Sequence, residues 1–571
     1  MLLLMTFLTT AGWTVYNLVC LTINARRAQK IGIPYHIIPF SPINPLWGLL
    51  EPGVFFILDR LPFQLSPFNH YGRRSWQIAD KAESHRRMGE AFAIATPREV
   101  FVFVCDADAI SDVLARRLDF VRPTGLYGTL RSIFNTVQLK TAGAKWKRHR
   151  KVLATLFNER TNGLVWRETI SQARQILARN ISKPFGGAKG VMRTVSLNVL
   201  YTTAFGRPMP SKHDSNPQSG DSGSGSDIDP LHTVLLNTLL IMLIPASILR
   251  LPFLPPLCRK VGKAVEDFRD QMVRMLNNEQ ALLEQGKPES GTLMSSLVRE
   301  SRFAVDEHGV DVALTPDEIL GNLYVVTFAG HDTTASTLAY ILHLLAAFPD
   351  VQEWVGEEIR SVCPNPDPST WELEYKDAFP RLKRCLAVVL ETLRLYPPIP
   401  ALPKSAAHET GTTLYLPETK RTLHLPKGTM VVPSILATQV HPKYWPDDPN
   451  VWKPTRWIEL NNPTKQNSSR NDGIPEARLA TEELIQPYPG TYLPWSAGVQ
   501  YCPGRKFAQV EIVAVVAALL RGHRLRVEMQ DGESFEEARA RVLRRVNDGY
   551  QVLVLQMRDA DGTRFFLERI E

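Results

Sequence analysis

A mainly α fold with a small β region is what three stretches of this sequence predict. Thr315-Pro316-Asp317-Glu318 opens one helix: Thr315 and Glu318 have capping-box spacing, Pro316 suits a first turn, and apolar residues continue through Leu338 and beyond. A second apolar run, Phe507 to Leu520, follows a short glycine-containing loop and reads as a buried helix. Ala91 to Ala95 and Val100 to Val104 are β-formers that turn back on each other around Thr96-Pro97. With 571 residues, 44% hydrophobic and without an evident internal repeat, the chain can bury one large core. The six cysteines are scattered without zinc-like spacing or a disulfide framework, which points to a reducing compartment. A net charge of +8 suits an anionic membrane surface or an acidic protein partner. No aromatic-studded basic stripe appears, so nucleic acid is not an expected partner.

From the start of the chain, Met1 to Ile23 is largely apolar and uncharged, about the length of one span, and 1–24 is the expected membrane anchor. Arg26, Arg27 and Lys30 follow and, by the positive-inside rule, keep the remainder cytosolic. Pro34, Pro39, Pro42 and Pro45 predict a stiff linker. Leu46 to Leu65, broken by Glu51-Pro52-Gly53 and Asp59-Arg60, predicts a segment lying on the membrane, so linker and segment fill 25–89. The folded body is expected over 90–571. Asp106 or Asp108 caps a short helix through Arg116. Pro123 to Val137 shows no period and, with Gly125 and Gly128, predicts a mobile loop.

In Lys145-Trp146-Lys147-Arg148-His149-Arg150-Lys151, Trp146 and Arg150 are four apart on one helix face. The other basic residues are expected outward, either as a solvated face or as a docking surface for an acidic protein. The stretches 211–230 and 461–483 are polar or low in complexity and are expected as flexible surface insertions. Thr233 to Leu251, apolar with Pro245 inside, reads either as a lid touching lipid or as a plain core helix. Asn180-Ile181-Ser182 and Asn467-Ser468-Ser469 fit glycosylation sequons that a cytosolic body leaves unused. Asn547-Asp548-Gly549-Tyr550 predicts a hairpin turn.

Four further stretches carry chemistry-bearing residues. The long helix holds a polar break, Ala329-Gly330-His331-Asp332-Thr333-Thr334, where Thr hydroxyls can take up backbone carbonyls and open the ladder into a groove beside Gly330. An alcohol next to a carboxylate suits proton delivery, while the bland alternative is a kinked helix that the two merely cap. Glu391-Thr392-Leu393-Arg394 puts Glu391 and Arg394 on one helix face, and Trp452-Lys453-Pro454-Thr455-Arg456-Trp457 lies downstream. The loop Trp495-Ser496-Ala497-Gly498-Val499-Gln500-Tyr501-Cys502-Pro503-Gly504 sets a cysteine just before a helix start, where amide donors and the helix dipole favour a thiolate. A buried structural cysteine is the alternative there.

Taken together, these residues resemble the cytochrome P-450 superfamily. Its haem loop reads aromatic-x-x-Gly-x-basic-x-Cys-x-Gly, here with Trp495 in place of Phe, Gly498 matched, and Gln500 where Arg or His is usual. Its central-helix motif, Ala/Gly-Gly-x-Asp/Glu-Thr-Thr, is matched in full. The resemblance runs from about Glu90 to the C-terminus. It implies the P-450 fold, with haem b between the long central helix and the cysteine loop and Cys502 as axial thiolate. It implies Trp146, Arg150, Gln500 and Lys404 at the haem propionates, with lysine at 404 replacing the usual arginine. It implies Thr333 as the alcohol and Asp332 as the acid of a proton relay, and Glu391, Arg394 and Arg456 as a structural triad. The loop after Pro123 is placed over the substrate, the Tyr396-to-Pro403 stretch along its pocket, and the turn at Asn547 toward it.

The activity implied is that of a monooxygenase in the endoplasmic reticulum membrane, with a single N-terminal anchor. It uses O₂ and electrons from NADPH, delivered by NADPH-cytochrome P-450 reductase, to hydroxylate or epoxidise a lipophilic small molecule. The proline hinge and insertions resemble fungal members, which suggests a secondary metabolite. The alternatives are a reductase-independent isomerase or dehydratase on the same haem, and a non-catalytic haem-binding membrane protein.

Overall fold

The computed structural model describes residues 2–42, 44–62, 67–123, 143–180, 183–206, 228–287, 291–302, 313–365, 367–371, 374–460, 479–551 and 553–570. The loop expected after Pro123, most of the 211–230 and 461–483 stretches, and both sequons in part or whole lie outside these residues.

The chain opens on a helix, Leu2–Ile31, that continues without interruption past the basic residues. Its last turns are part of the body: Ala28 and Ile31 are buried, and Asn24 Nδ2 donates to the carbonyls of Thr96 and Pro97 at 2.9 and 3.2 Å. The strand Tyr35–Ile37 then pairs in parallel with Ala91–Ala95. The folded body therefore begins well before Glu90, because the proline-punctuated stretch is extended enough to become an edge strand. Helix Pro45–Leu58 follows, with Trp47 and Phe55 packed inward and Leu50, Phe56 and Ile57 exposed. Among the described residues no single helix is both long and apolar enough to cross a membrane.

The small β region is a six-stranded sheet in the spatial order 35–37, 91–95, 100–104, 430–433, 404–406 and 120–121. Its antiparallel centre, Ala91–Ala95 with Val100–Val104, has every residue buried, as an unalternating apolar pair requires. Asp106 caps the next helix, Ala107–Ala115, accepting from the amides of Asp108 and Ala109 at 3.0 Å each.

The rest is mainly helical. Pro316–Ala347 runs 32 residues through the centre behind the expected Thr315–Glu318 capping box. Around it pack Glu159–Asn180, Ala188–Phe205, Lys383–Leu395 and Arg505–Leu520, whose apolar residues share one large cluster. The region expected as one lid or core helix is three short helices, Ile228–Leu236, Thr238–Leu243 and Ala246–Leu249, the last beginning after Pro245. Leu231, Val234, Ile241 and Leu249 are buried, in a cluster with Phe268 and Tyr324, while Leu236 and Ile248 face outward.

Two boundaries differ from expectation. Residues 228–230 begin a helix rather than ending an insertion, and Glu482–Leu484 is a strand pairing with Ile458–Leu460. Glu482 is buried and takes both Arg384 Nε and Nη2, at 2.9 and 2.7 Å, so it is not a loop tip. Likewise Asn547-Asp548 closes the helix Phe535–Asn547, and the hairpin is made by strands Gly549–Gln551 and Leu555–Met557 beyond it.

Candidate active site at the cysteine loop

The loop before Arg505–Leu520 is pinned by its own backbone. The Cys502 amide donates to the Trp495 carbonyl at 2.8 Å and that of Tyr501 to Gly498 at 3.2 Å. Gly498 has φ +65°, and a Cβ there would lie 2.8 Å from the Leu114 carbonyl oxygen, so both conformation and space demand glycine. Ser496 also sits at φ +60°, a left-handed conformation that the surrounding loop has to hold in place. Trp495 packs edge-on to Tyr492, and the Arg505 guanidinium lies 5.3 Å over its ring.

Cys502 is exposed, yet protein atoms crowd around its sulfur. Burial pushes its thiol pKa up, against the Gly504 amide and Arg150, which pull it down. Desolvation and the amide donors expected at the helix start thus oppose each other at this sulfur, and a bound metal cation would favour the thiolate.

Trp146 and Arg150 come side by side on the helix Gly143–Ala154. Arg150 lies 4.5 Å over the ring of Tyr501, one residue from the cysteine. Trp146 is 5% exposed, and its indole N–H is buried without an acceptor. An orphaned indole donor is costly unless a ligand accepts from it. Arg117, which the sequence did not single out, stacks 5.4 Å from the Trp146 ring. Of the other basic residues on this helix, Lys145, Lys147 and Lys151 do face outward, but Arg148 and His149 do not. Arg148 donates to the Glu318 carboxylate and to the Ala313 carbonyl, tying this helix to the start of the central one. His149 is fully buried against Asn322.

Lys404 and Gln500, expected as two separate contacts, bind each other: Lys404 Nζ donates to Gln500 Oε1 at 2.7 Å. Burial lowers the Lys404 pKa to about 8, with Arg122 pushing the same way. Among the described residues Lys404 has no carboxylate partner.

On the central helix the ladder stays closed through 329–334, with Thr333 Oγ1 donating to the Ala329 carbonyl at 2.8 Å. On the side a Gly330 Cβ would take, Leu200 Cδ1 stands 3.0 Å away, so the glycine admits the neighbouring helix, while Ala329 is exposed and Gly330 half-exposed, which leaves open space along this stretch. Asp332 turns toward that neighbour too. Its Oδ1 accepts Arg193 Nε at 2.9 Å and Nη2 at 2.6 Å. No sequence spacing relates Arg193 to Asp332, 139 residues apart, and only the packing of the two helices finds it.

Glu391, Arg394 and Arg456 are brought together. Glu391 accepts Arg394 Nε and Nη2 at 2.8 and 2.9 Å, Arg456 Nε at 3.0 Å, the Trp457 indole at 2.9 Å and the Lys453 amide at 2.8 Å. The arginines use their remaining donors on carbonyls of Gln439, Asp447, Asp448, Pro449 and Val451. The stretch from Gln439 to Trp457, which precedes the cysteine loop in the chain, is thereby fixed to the C-terminal end of the helix Lys383–Leu395.

An orphaned indole donor and a buried lysine near an exposed cysteine suit an anionic ligand at this loop. The Cytochrome P450 family profile matches residues 67–554. A cytochrome P450 monooxygenase of Arthrobotrys oligospora is 26% identical over 96% of each chain, and cytochrome P450 monooxygenase 124 of Postia placenta is 30% identical over 77% of this chain and 79% of its own. A Leptosphaeria maculans protein named phomenoic acid biosynthesis cluster cytochrome P450 monooxygenase is 27% identical over 90% of each. The chain belongs to the cytochrome P450 family and is a P450 monooxygenase, of a family that carries a haem-thiolate cofactor and works with redox partners on lipophilic substrates. The residues present fit that group: an approachable cysteine sulfur, an indole N–H without acceptor, and a buried lysine without counter-charge.

Proposed function

We propose that this monooxygenase is held in the endoplasmic reticulum membrane by its first helix. Its body is cytosolic, it receives NADPH-derived electrons from NADPH-cytochrome P-450 reductase, and it hydroxylates or epoxidises a lipophilic small molecule of secondary metabolism. The observation carrying the catalytic part is the open Cys502 sulfur beside the acceptor-less Trp146 donor. Haem b, when bound, supplies dioxygen activation on iron ligated by Cys502. Arg150 and Lys404 would neutralise its propionates and Trp146 Nε1 would donate a hydrogen bond to one of them, while Gln500 orients Lys404 and Trp495 and Gly498 shape the loop around the sulfur.

Thr333 holds a hydroxyl proton that now rests on the Ala329 carbonyl and can turn into the site. Asp332, oriented by Arg193, resupplies protons. Glu391, Arg394 and Arg456 hold the pocket without touching substrate. Membrane attachment is supported by the exposed Leu50, Phe56 and Ile57, and by the basic Arg26, Arg27 and Lys30 that follow the exposed apolar residues of the first helix. The exposed Lys145, Lys147 and Lys151 form the docking patch for an acidic reductase. The domain reading that goes with this is an anchor over 1–24, a membrane-associated segment over 25–89 whose strand Tyr35–Ile37 joins the sheet of the body, and the rest of the catalytic domain over 90–571. A secondary-metabolite substrate is supported by the biosynthetic-cluster name of the Leptosphaeria maculans relative.

The test is the absorption of the purified, reduced protein under carbon monoxide, followed by substrate-dependent NADPH consumption with reductase added. A long-wavelength shift and coupled consumption are expected. Absence of the shift removes Cys502 as ligand, and NADPH-independent turnover removes the monooxygenase reading.

A further inference from the structure

A groove of about 510 Å³ lies between the first helix and the body, far from the cysteine loop in sequence and in fold. Its length follows the helix: Trp13, Tyr16 and Ile23 line one part, Arg27 the other, and Phe40 and Arg98 face them from the body. The volume falls in the range of small-molecule sites. The wall is rigid. Asn24 clamps the helix to the turn at Thr96-Pro97, and Ser41 Oγ donates to Glu99 at 3.2 Å on the opposite side.

The groove is amphiphilic along its axis. Arg27 contributes one guanidinium whose recorded bond is a long 3.4 Å contact to Asn24 Oδ1, and no carboxylate among the described residues pairs with it. Arg98 uses Nε on Glu99 at 2.9 Å and is half exposed, so the rest of its fork is open. Toward Trp13 the charged residues give way to aromatic and apolar ones with Asn17 and Cys20 among them, and Trp13 and Tyr16 are more than half exposed. From Arg27 to Trp13 the helix rises about 21 Å. One leaflet with its headgroups measures roughly 20–22 Å, half of a whole bilayer.

We propose that this groove seats one anionic phospholipid, its phosphate between Arg27 and Arg98 and an acyl chain along Ile23, Tyr16, Trp13 and Phe40. The proposal deepens the anchored reading and rests on the first helix entering the membrane. Two guanidiniums without a full complement of anions suit a phosphate, which accepts bidentate donors. The aromatic end suits hydrocarbon, and the length suits one leaflet. The bound lipid fixes the angle of the body on the membrane, because it bridges the anchor helix and the strand turn at Pro97.

The experiment uses the full-length haem protein and vesicles of phosphatidylcholine alone or mixed with phosphatidylserine. Flotation reports anchoring, and native mass spectrometry after mild extraction reports lipid carried by each molecule. The wild type should float with both vesicles and retain one phosphatidylserine from the mixed ones. Arg27→Gln with Arg98→Gln should still float but retain at least tenfold less. Arg26→Gln with Lys30→Gln removes the same charge from exposed positions outside the groove lining and should retain lipid like the wild type. Equal losses in both double variants overturn the seat in favour of general surface attraction, and unchanged retention in the first overturns it outright. Failure of the wild type to float with either vesicle overturns the anchor itself, a separable result.

Discussion

Replacing Glu391 by glutamine tests how the pocket is held. The side chain is fully buried and takes five donors on two oxygens, four of them from Arg394, Arg456 and Trp457 and one from the Lys453 amide. Glutamine keeps the volume but removes the charge and turns one acceptor into a donor that faces other donors. Two arginines, 0% and 9% exposed at the side chain, are then left without a counter-charge. Losing one partner of a buried ion pair costs about 3–5 kcal/mol. Leaving at least one neutral donor unpaired adds about 1–3 kcal/mol. The expected loss of roughly 4–8 kcal/mol is comparable with the whole stability of many domains. Urea titration followed by tryptophan fluorescence measures it, with haem absorption as a second signal. The comparison is Glu353→Gln, which breaks a half-exposed pair with Arg360 and should cost less than about 1 kcal/mol. If Glu391→Gln also costs under about 1 kcal/mol, the network is not what holds the stretch from Gln439 to Trp457.

Thr333→Ala should leave haem absorption intact while peroxide release rises at the expense of product, measured as the ratio of product to NADPH consumed. Unchanged coupling would remove the hydroxyl from the proton path. Glu511, on the helix after Cys502, is fully buried with both carboxylate oxygens lacking a hydrogen-bond partner, and burial pushes its pKa up to about 8. The folded state therefore keeps its proton where the unfolded chain has lost it, so stability falls as pH rises from about 4.5 to 8. Glu511→Gln should flatten that part of the stability–pH curve relative to wild type. A parallel curve for the variant would show that the carboxyl is already ionised in the fold.

What the sequence could and could not disclose divides by the reach of the interactions. Thr315 with Glu318 and Glu391 with Arg394 are three apart, so helix geometry alone brings them together. The pairing of Arg456 with Glu391 spans 65 residues and was legible only through the family motif around Trp452 to Trp457. Arg193, Arg117 and Arg148 went unread in their observed roles. A long side chain's partner depends on which helix packs opposite, and no local pattern encodes that. Leu200 beside Gly330 was unreadable for the same reason: a glycine inside a helix signals missing volume, and only the packing of the neighbouring helix shows what takes up part of it. The start of the body was misplaced because prolines mark both linkers and edge strands, and only the pairing of Tyr35–Ile37 separates them.

Lys404 and Gln500 show two sequence departures becoming one structural fact. Read singly, each looks like a weakened contact to an anion. In the fold they are 2.7 Å apart, and glutamine offers its carbonyl to the ammonium while Arg122 adds positive potential nearby. An arginine at 500 would point a second cation at Lys404. Two unit charges about 4 Å apart in a partly buried site repel by roughly 4 kcal/mol. The usual residue at one position thus becomes unfavourable once lysine occupies the other. In the haem-free protein, Gln500→Arg should destabilise by about 2 kcal/mol or more, with Lys404→Gln in the same chain restoring most of the loss. Urea midpoints of the two single variants and the double variant measure the coupling. Additive effects would mean that the two positions are independent, and the resemblance to a pair would be an accident of rotamers.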